Sequence, residues 1–319
     1  MKIGVIGVGH LGTFHLQKLS RIPGIIVSGL YDIDLKRAEK MSQDHNIPSF
    51  PSLESLLKAS DAVSVITPTP SHYNITDQAL DAGCHVFIEK PITDNLNHAI
   101  ALIKKADENN KIIQVGHIER FNPAFMALKK TDITPHFIES HRLAPFNPRG
   151  NDVPVILDLM IHDLDIILSL VDANIQKIFA NGVKVVSQTV DIANARLEFE
   201  NGCVANLTAS RISQKEMRKM RLFQKDNYIT IDFHKKILEE YKVYHEPPDS
   251  DSEKVIEIGM KNKKYISYNR PLFQKHDALR EELCHFIHSI KQASQPEVDG
   301  SSATEALRLA LEIEKLMTI

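Results

Sequence analysis

The chain of 319 residues is long enough for two domains, since a domain commonly spans about 100–200 residues. Its hydrophobic content of 43% is typical of a folded soluble protein, and its net charge of −3, with Lys and Arg spread along the sequence, argues against nucleic acid as a main partner. The three cysteines form no CxxC pair, and no signal peptide or run of about 18 apolar residues occurs, so we expect a cytoplasmic protein with no metal site, disulfide framework or membrane segment.

Short apolar strands alternate with helical segments over residues 1–118. The strands are predicted at Lys2–Gly7, Ile25–Leu30, Ala62–Ile66, His85–Ile88 and Ile112–Val115. The helices are predicted around residues 11–19, 36–41, 53–58, 75–82 and 97–109. This alternation predicts a parallel sheet covered on both faces, and such sheets bind ligands beyond the carboxyl ends of their strands.

A glycine motif follows the first strand. The segment Gly7-Val8-Gly9-His10-Leu11-Gly12 matches GxGxxG and opens the first helix, an arrangement that places a dinucleotide diphosphate on the helix N–H groups. Asp32 follows the second strand, where a carboxylate accepts the ribose hydroxyls and repels a 2′-phosphate. No Arg immediately follows Asp32, so the sequence favours NAD over NADP.

The next two strand ends supply further predicted cofactor contacts. Thr67, Pro68 and His72 follow the third strand, and the alternative reading is a rigid connector with an incidental histidine. Glu89 and Lys90 follow the fourth strand. Lys90 can donate a hydrogen bond to a substrate oxygen and stabilise a developing alkoxide, although a lysine at a strand end is often only a solvated charge.

The pattern changes after about Glu119, which predicts a second domain over residues 119–319. A strand at Phe137–Leu143 and a helix at Leu157–Val171 precede alternating strands, with Asn201-Gly202 as a hairpin signal. The predicted strands after the helix are Ala193–Phe199, Val204–Ala209, Met220–Phe223 and Tyr228–Phe233. Consecutive strands predict a mostly antiparallel sheet. Two terminal helices are predicted at residues 277–291 and 303–317. Whether they pack on the first or the second domain is left open.

The predicted helix carries Asp158 and His162, four residues apart and therefore on one face. We expect His162 to take the proton of a substrate hydroxyl, Asp158 to orient the imidazole or contact substrate, and Lys90 to polarise the oxygen. The alternative is a solvated or capping pair, and whether His162 or Lys90 takes the proton stays open.

Four further side chains are assigned to substrate binding. Arg142 and Arg149 lie in the segment Glu139–Pro154 and are planar donors suited to a phosphate, or else surface arginines of a loop. Arg120 and Asn122, which follow the last strand of the first domain, are assigned with them.

Six segments resemble the Gfo/Idh/MocA oxidoreductase family: GVGHLGTFH, YDID, TPTPSHY, EKP, VGHIERFNPA and DLMIHDLD. The resemblance implies a Rossmann domain followed by an α+β domain with a large, mostly antiparallel open sheet. That sheet often forms a homodimer or homotetramer interface in the family. It also implies reversible hydride transfer between a nicotinamide and a sugar or cyclitol hydroxyl carbon, with Lys90, Asp158 and His162 matching the family's catalytic lysine, aspartate and histidine.

Several segments, ESHRLAPF among them, are similar to a branch of the family that oxidises UDP-N-acetylglucosamine at C3, ahead of an aminotransferase in lipid A biosynthesis. A small-molecule sugar or nucleotide sugar is thus the expected partner. The alternatives are an inositol or simple-sugar dehydrogenase, a biliverdin reductase-like enzyme and a non-catalytic NAD-binding redox sensor. The presence of Lys90, Asp158 and His162 together argues against the last two.

Overall fold

The chain divides into two compact units. The computed structural model describes residues 1–147, 153–247, 254–259, 263–274 and 276–317. The first unit comprises Met1–Phe121 with Asp277–Arg308, and the second comprises Asn122–His276 with Leu309–Ile319. The first unit ends at residue 121, close to the predicted boundary at residue 118, and it includes Asp277–Arg308, part of the terminal segment whose packing on the first domain the sequence analysis left open.

A five-stranded parallel sheet forms the centre of the first unit, in the order β2-β1-β3-β4-β5. Its strands are β1 (Lys2–Ile6), β2 (Ile26–Tyr31), β3 (Ala62–Val65), β4 (His85–Glu89) and β5 (Ile113–Gly116). The helices are α1 (His10–Leu19), α2 (Leu35–His45), α3 (Leu53–Lys58), α4 (His72–Asp81), α5 (Leu96–Glu108) and α8 (Ala278–Gln292), with 3-10 turns at Thr69–Ser71 and Ile118–Phe121. Strands β3 and β5 are buried throughout, as parallel strands covered on both faces should be.

Helix α8 completes the core of this unit. Leu283, Phe286 and Ile287 on α8 belong to the same buried cluster as Ile3 of β1 and Phe87 of β4. The rings of Phe87 and Phe286 meet edge to face at 5.9 Å. These apolar contacts explain why a segment near the end of the chain belongs with the first unit.

A nine-stranded sheet forms the second unit, in the order β13-β14-β12-β11-β10-β6-β9-β8-β7. Its strands are β6 (Phe137–Leu143), β7 (Ile175–Val183), β8 (Ile192–Phe199), β9 (Val204–Ser210), β10 (Met217–Gln224), β11 (Asn227–Asp232), β12 (Ile237–Tyr244), β13 (Lys254–Ile258) and β14 (Lys264–Asn269). Neighbouring strands are antiparallel except β6 and β9, which are parallel. The predicted mostly antiparallel sheet is confirmed, and so is the hairpin at Asn201-Gly202, where Gly202 has φ +83°.

The helices of this unit are α6 (Pro123–Leu128) and α7 (Ile161–Leu170), and α9 (Gly300–Leu316) begins in the first unit and ends in the second. The single α-helix predicted at residues 157–171 is wrong in its first turn, because Ile156–Met160 is π-helical. Strands β7, β12, β13 and β14 were not predicted.

One face of the nine-stranded sheet is buried and the other is partly exposed. Along β8, Ala193, Ala195, Leu197 and Phe199 are buried while the intervening residues are not, and β6 and β9 alternate in the same way. In the part of the chain that the structure describes, no helix is long and apolar enough to cross a membrane.

Candidate active site

The glycine loop between β1 and α1 has the backbone geometry that a dinucleotide diphosphate requires. Gly7 has φ +85°, and a Cβ there would lie 2.5 Å from the carbonyl oxygen of Ile66. A Cβ on Gly12 would lie 1.9 Å from the carbonyl oxygen of Gly7, so helix and loop pack at a distance that only glycine allows. A Cβ on Gly9, by contrast, would meet no atom within 4 Å. The open space at Gly9 is where a phosphate can approach the backbone.

The start of α1 leaves its N–H groups available for such an anion. Gly9 is the N-cap residue, no described side chain caps this end, and the first turn contains no acidic residue. His10 and Leu11 are exposed beside it, and the His10 ring contacts Phe14 edge to face at 5.0 Å. These two side chains are therefore accessible to a cofactor, and their contact with it stays a prediction.

Asp32 lies directly after β2 and is tied to the glycine loop. Its Oδ2 accepts a hydrogen bond from the Val8 N–H at 2.9 Å, and its Oδ1 accepts one from the Asp34 N–H at 2.9 Å. Nη1 of Arg37 lies 3.4 Å from each carboxylate oxygen. The sequence analysis overlooked Arg37, although its position three residues after Asp34, the N-cap of α2, predicts an exposed side chain on the first turn of that helix.

Thr67 and Pro68 follow β3 and remain accessible, but His72 does not. The His72 side chain is 1% exposed, with Nδ1 at 2.9 Å from the Pro91 carbonyl oxygen and Nε2 at 2.8 Å from the Thr67 carbonyl oxygen. Burial lowers the pKa of His72, against the two carbonyl contacts and the charge of Glu89, which raise it. Both ring nitrogens face backbone carbonyls, so the side chain is engaged within the protein, and its contact with the cofactor stays a prediction.

Glu89 and Lys90 lie at the carboxyl end of β4. The Glu89 carboxylate bonds to Nε2 of His15 at 3.1 Å and accepts the Lys90 N–H at 3.3 Å. Burial opposes its ionisation, but the hydrogen bond and charge of His15, with the charge and N–H of Lys90, hold the pKa of Glu89 below its usual value. Glu89 thus has partners within the protein, and its contact with the cofactor stays a prediction. Lys90 itself is partly exposed.

The structure brings the predicted cofactor residues of the first unit to one edge of its sheet. The glycine loop, Asp32, Thr67 and Lys90 each follow a strand, and the four strands are parallel neighbours. Dinucleotides bind at this edge in doubly wound sheets. The open backbone at Gly9 therefore fits the diphosphate of NAD, and the Asp32 carboxylate fits its ribose hydroxyls.

Asp158 and His162 occupy the partly exposed stripe of an otherwise buried helical segment in the second unit. Of residues 155–167, only Asp158, Leu159 and His162 are not buried. Asp158 lies in the π-helical turn and His162 in the first turn of α7. π-helical turns are rare and occur frequently at functional sites. A carboxylate and an imidazole on one accessible face can orient and move a proton.

Three of the four residues assigned to substrate binding are buried and have partners within the protein. Arg142 is 2% exposed, and its Nε and Nη2 donate to the Asp163 carboxylate at 3.1 and 2.8 Å. Asn122 is 4% exposed, caps α6 through the Ala124 N–H and donates to the Phe233 carbonyl. Arg120 is 7% exposed, with Nη1 at 3.6 Å from Glu297. The three side chains are therefore engaged within the protein, and their contact with a substrate stays a prediction. Arg149 lies outside the described residues.

Comparisons with known proteins agree with this arrangement. Residues 1–117 match the family described as "Oxidoreductase family, NAD-binding Rossmann fold", and residues 137–235 match the "GFO/IDH/MocA C-terminal domain". The chain is 37% identical to a UDP-N-acetylglucosamine 3-dehydrogenase of Acidithiobacillus ferrooxidans over 98% of its length and 96% of the relative's. A solved structure of that enzyme has a TM-score of 0.90 at 36% identity, covering 99% of this chain and 97% of that one. A myo-inositol 2-dehydrogenase of Thermotoga maritima is 26% identical over 99% of this chain and 96% of its own.

The matched segments include the parallel sheet with its glycine loop and most of the nine-stranded sheet of the second unit. NAD is the cofactor of this family's Rossmann domain, and its members are dehydrogenases and oxidoreductases that act on CH–OH groups. The chain belongs to the Gfo/Idh/MocA family of NAD-dependent oxidoreductases.

Proposed function

We propose that this enzyme oxidises UDP-N-acetylglucosamine to its 3-keto sugar with NAD. The observation that supports this most is the 37% identity to a UDP-N-acetylglucosamine 3-dehydrogenase, which spans both units and 98% of the chain. The inositol dehydrogenases match at lower identity, such as 26% for the enzyme of Thermotoga maritima.

In the proposed mechanism, the chain contributes three side chains to the oxidation of the alcohol. NAD, when bound, supplies the hydride acceptor for the carbon that carries the hydroxyl. His162 accepts the hydroxyl proton, and Asp158 orients its imidazole and favours the protonated form. Lys90 donates a hydrogen bond to the substrate oxygen and stabilises the negative charge that develops there. Each role matches the exposure of the residue, since all three are accessible.

The residues that hold NAD are the glycine loop, Asp32 and the accessible groups after β3. The Gly9 backbone and the uncapped start of α1 would bind the diphosphate, and the Asp32 carboxylate would accept ribose hydroxyls. Thr67 and Pro68 line the same edge of the sheet.

We further place the enzyme in the cytoplasm, ahead of an aminotransferase that consumes the 3-keto sugar on the way to lipid A. The support is the resemblance to the branch with that activity. We also propose a homodimer or homotetramer built on the partly exposed face of the nine-stranded sheet, which carries a row of aromatic side chains in register.

The test is NADH formation with UDP-N-acetylglucosamine, with an aminotransferase present to remove the ketone. We expect turnover by the wild type and a loss of about 10²- to 10⁴-fold in Lys90→Ala and in His162→Ala. Lys111→Ala and His234→Ala are matched controls, because Lys111 lies at the opposite end of the first sheet and the His234 side chain is 53% exposed.

UDP alone should compete with the nucleotide sugar, because it is the part of that substrate that an inositol or a free hexose lacks. Turnover of myo-inositol or a free hexose, with none of UDP-N-acetylglucosamine, would contradict the proposed substrate and favour the inositol dehydrogenase alternative. Full activity of His162→Ala would contradict the proposed base.

A further inference from the structure

Two buried histidines flank the short segment that carries Lys90. His15 lies on α1 and is 1% exposed. Its Nε2 is 3.1 Å from Oε1 of Glu89, the residue before Lys90, and its Nδ1 is 3.1 Å from Oγ of Ser64 on β3. Nε2–H donates to the carboxylate, and Nδ1 contacts the serine hydroxyl, which can act as donor or acceptor.

His72, the first residue of α4, contacts the segment from the other side. Its Nδ1 is 2.9 Å from the carbonyl oxygen of Pro91, the residue after Lys90, and its Nε2 is 2.8 Å from the carbonyl oxygen of Thr67. The ring therefore links the turn after β4 to the turn after β3. His15 thus holds the side chain of Glu89, the residue before Lys90, and His72 holds the backbone of Pro91, the residue after it.

The neighbouring strand leaves space for the Glu89 carboxylate. Glu89 pairs with Gly116 on β5, and a Cβ on Gly116 would lie 3.0 Å from Cδ and both carboxylate oxygens of Glu89. A Cβ at residue 116 would therefore make the carboxylate shift from its place beside His15. Glycine at this position favours the contact between Glu89 and His15.

Buried polar contacts of this kind have a free-energy cost, and here their effect is to restrict the segment that carries Lys90. Burying an imidazole or a carboxylate costs free energy, which its hydrogen bonds must offset. Here the bonds converge on the residues before and after Lys90. A catalytic group must be held close to its productive geometry by neighbours that are themselves fixed.

We propose that His15 and His72 are positioning residues for Lys90, which act by fixing the Glu89–Pro91 segment from two sides. The inference rests on the proposed role of Lys90 in the reaction. Neither histidine touches the reacting atoms in this proposal. Their effect on the rate passes through the direction in which the Lys90 ammonium points.

The test is a double-mutant cycle that combines His72→Gln with Lys90→Ala, and then His15→Gln with Lys90→Ala. A displacement of about 1 Å at a catalytic group can cost about 10²-fold, so we expect each histidine variant alone to lower kcat by about 10- to 100-fold with little change in the KM for NAD. In the Lys90→Ala background the same substitutions should have almost no further effect, because the group they position is absent.

Conservative and disruptive variants separate positioning from folding. Glutamine retains an N–H donor and should keep more activity than His15→Leu or His72→Leu. His85→Gln is the matched control, since His85 lies at the opposite end of β4 and accepts a hydrogen bond from the Ile112 N–H. It should leave kcat unchanged, and the Tm of every variant is measured alongside.

The outcomes distinguish the two proposals. Suppose that Lys90→Ala lowers kcat and that each histidine substitution lowers kcat by the same factor in the Lys90→Ala background as in the wild type. This result would overturn the positioning role and leave Lys90 as a catalytic residue. Full activity of Lys90→Ala would overturn both. Non-additive losses with an unchanged KM for NAD would support the inference.

Discussion

Asp32 and Arg37 place opposite charges where we expect the cofactor ribose, the part that distinguishes NAD from NADP. Nη1 of Arg37 is 3.4 Å from both oxygens of Asp32, and its Nη2 is 3.3 Å from Oδ2 of Asp34. The arginine is about half exposed, whereas Asp32 is 5% exposed. The carboxylates of Asp32 and Asp34 therefore pair with the Arg37 guanidinium, which would otherwise be available to bind a 2′-phosphate.

We expect Asp32→Ala to lower kcat/KM for NAD by about 10- to 100-fold, since a hydrogen bond to a charged group contributes about 1.5–3 kcal/mol. The same change should raise kcat/KM for NADP, because the repulsive carboxylate is gone and Arg37 remains. Steady-state kinetics with both cofactors measure the change. Asp34→Ala, which removes the other partner of Arg37, is the control and should keep the preference for NAD. Equal losses for both cofactors would mean that Asp32 serves only to hold the Val8 N–H.

His72 should make stability depend on pH. Its pKa is lowered by burial from the model-peptide value of 6.5, although the carbonyl oxygens of Pro91 and Thr67 and the charge of Glu89 oppose that shift. Below about pH 6.5 the unfolded chain therefore binds a proton that the folded chain does not, so stability falls as the pH falls.

The difference in Tm between wild type and His72→Gln isolates this contribution. Wild type should lose stability relative to the variant between about pH 7.5 and about pH 5.5. A relative gain on acidification would instead show that the imidazolium, donating to both carbonyls, is the favoured folded form.

At the scale of elements, the loop before α1 contains glycines with different requirements. A Cβ on Gly12 would lie 1.9 Å from the Gly7 carbonyl oxygen, so Gly12→Ala must displace the helix or the loop and should lower both Tm and NAD affinity. Gly9 has φ −68° and no atom within 4 Å of its Cβ position. Gly9→Ala should therefore keep the Tm and still weaken NAD binding, because the methyl group enters the space that the diphosphate needs.

Thermal unfolding and titration with NADH measure the two effects separately. The pair of variants forms its own control, since both add one methyl group to the same loop. Unchanged NADH affinity in Gly9→Ala would contradict the assignment of the diphosphate to this loop.

The success of sequence interpretation also varied by element. The strands of the first unit were predictable because buried parallel strands are nearly continuous apolar runs, as in Ala62–Val65, where Ser64 is the one polar residue. β7 is mostly exposed at the edge of its sheet, and β12 carries two adjacent glutamates, so neither has a strong apolar pattern. The π-helical turn before α7 has no sequence signal of comparable strength.

The site residues divide in the same way. The positions of the GxGxxG motif, Asp32 and Lys90 after strand ends could be predicted from the sequence, and their roles in binding and catalysis stay predictions. The burial of Arg142 was not predicted, although it follows from the alternation of β6, in which Arg142 is in phase with the buried Ile138 and Ser140. Its partner Asp163 is 21 residues away, and a contact of that kind follows from the tertiary fold rather than from local spacing.

At the scale of the whole molecule, a row of five aromatic rings crosses the nine-stranded sheet. Phe137, Phe223, Tyr228, Tyr241 and Tyr268 are successive cross-strand pairs on β6, β10, β11, β12 and β14. Their ring centroids are 4.9–5.7 Å apart, and all five side chains are only partly buried. Aromatic residues are enriched in the buried centres of protein interfaces.

If this face joins copies of the chain, as proposed above, charge in the middle of the row should separate them. We expect Tyr228→Lys combined with Tyr241→Lys to reduce the molar mass measured by light scattering, because burying two ammonium groups at an interface costs more than the contacts return. Ile100→Lys is the control: Ile100 is 51% exposed on α5 of the first unit, and its change adds surface charge without touching the row. A wild type of the mass of one chain would contradict the oligomer. An oligomeric double variant would place the interface on another surface, because an interface on this face would have to bury both lysines.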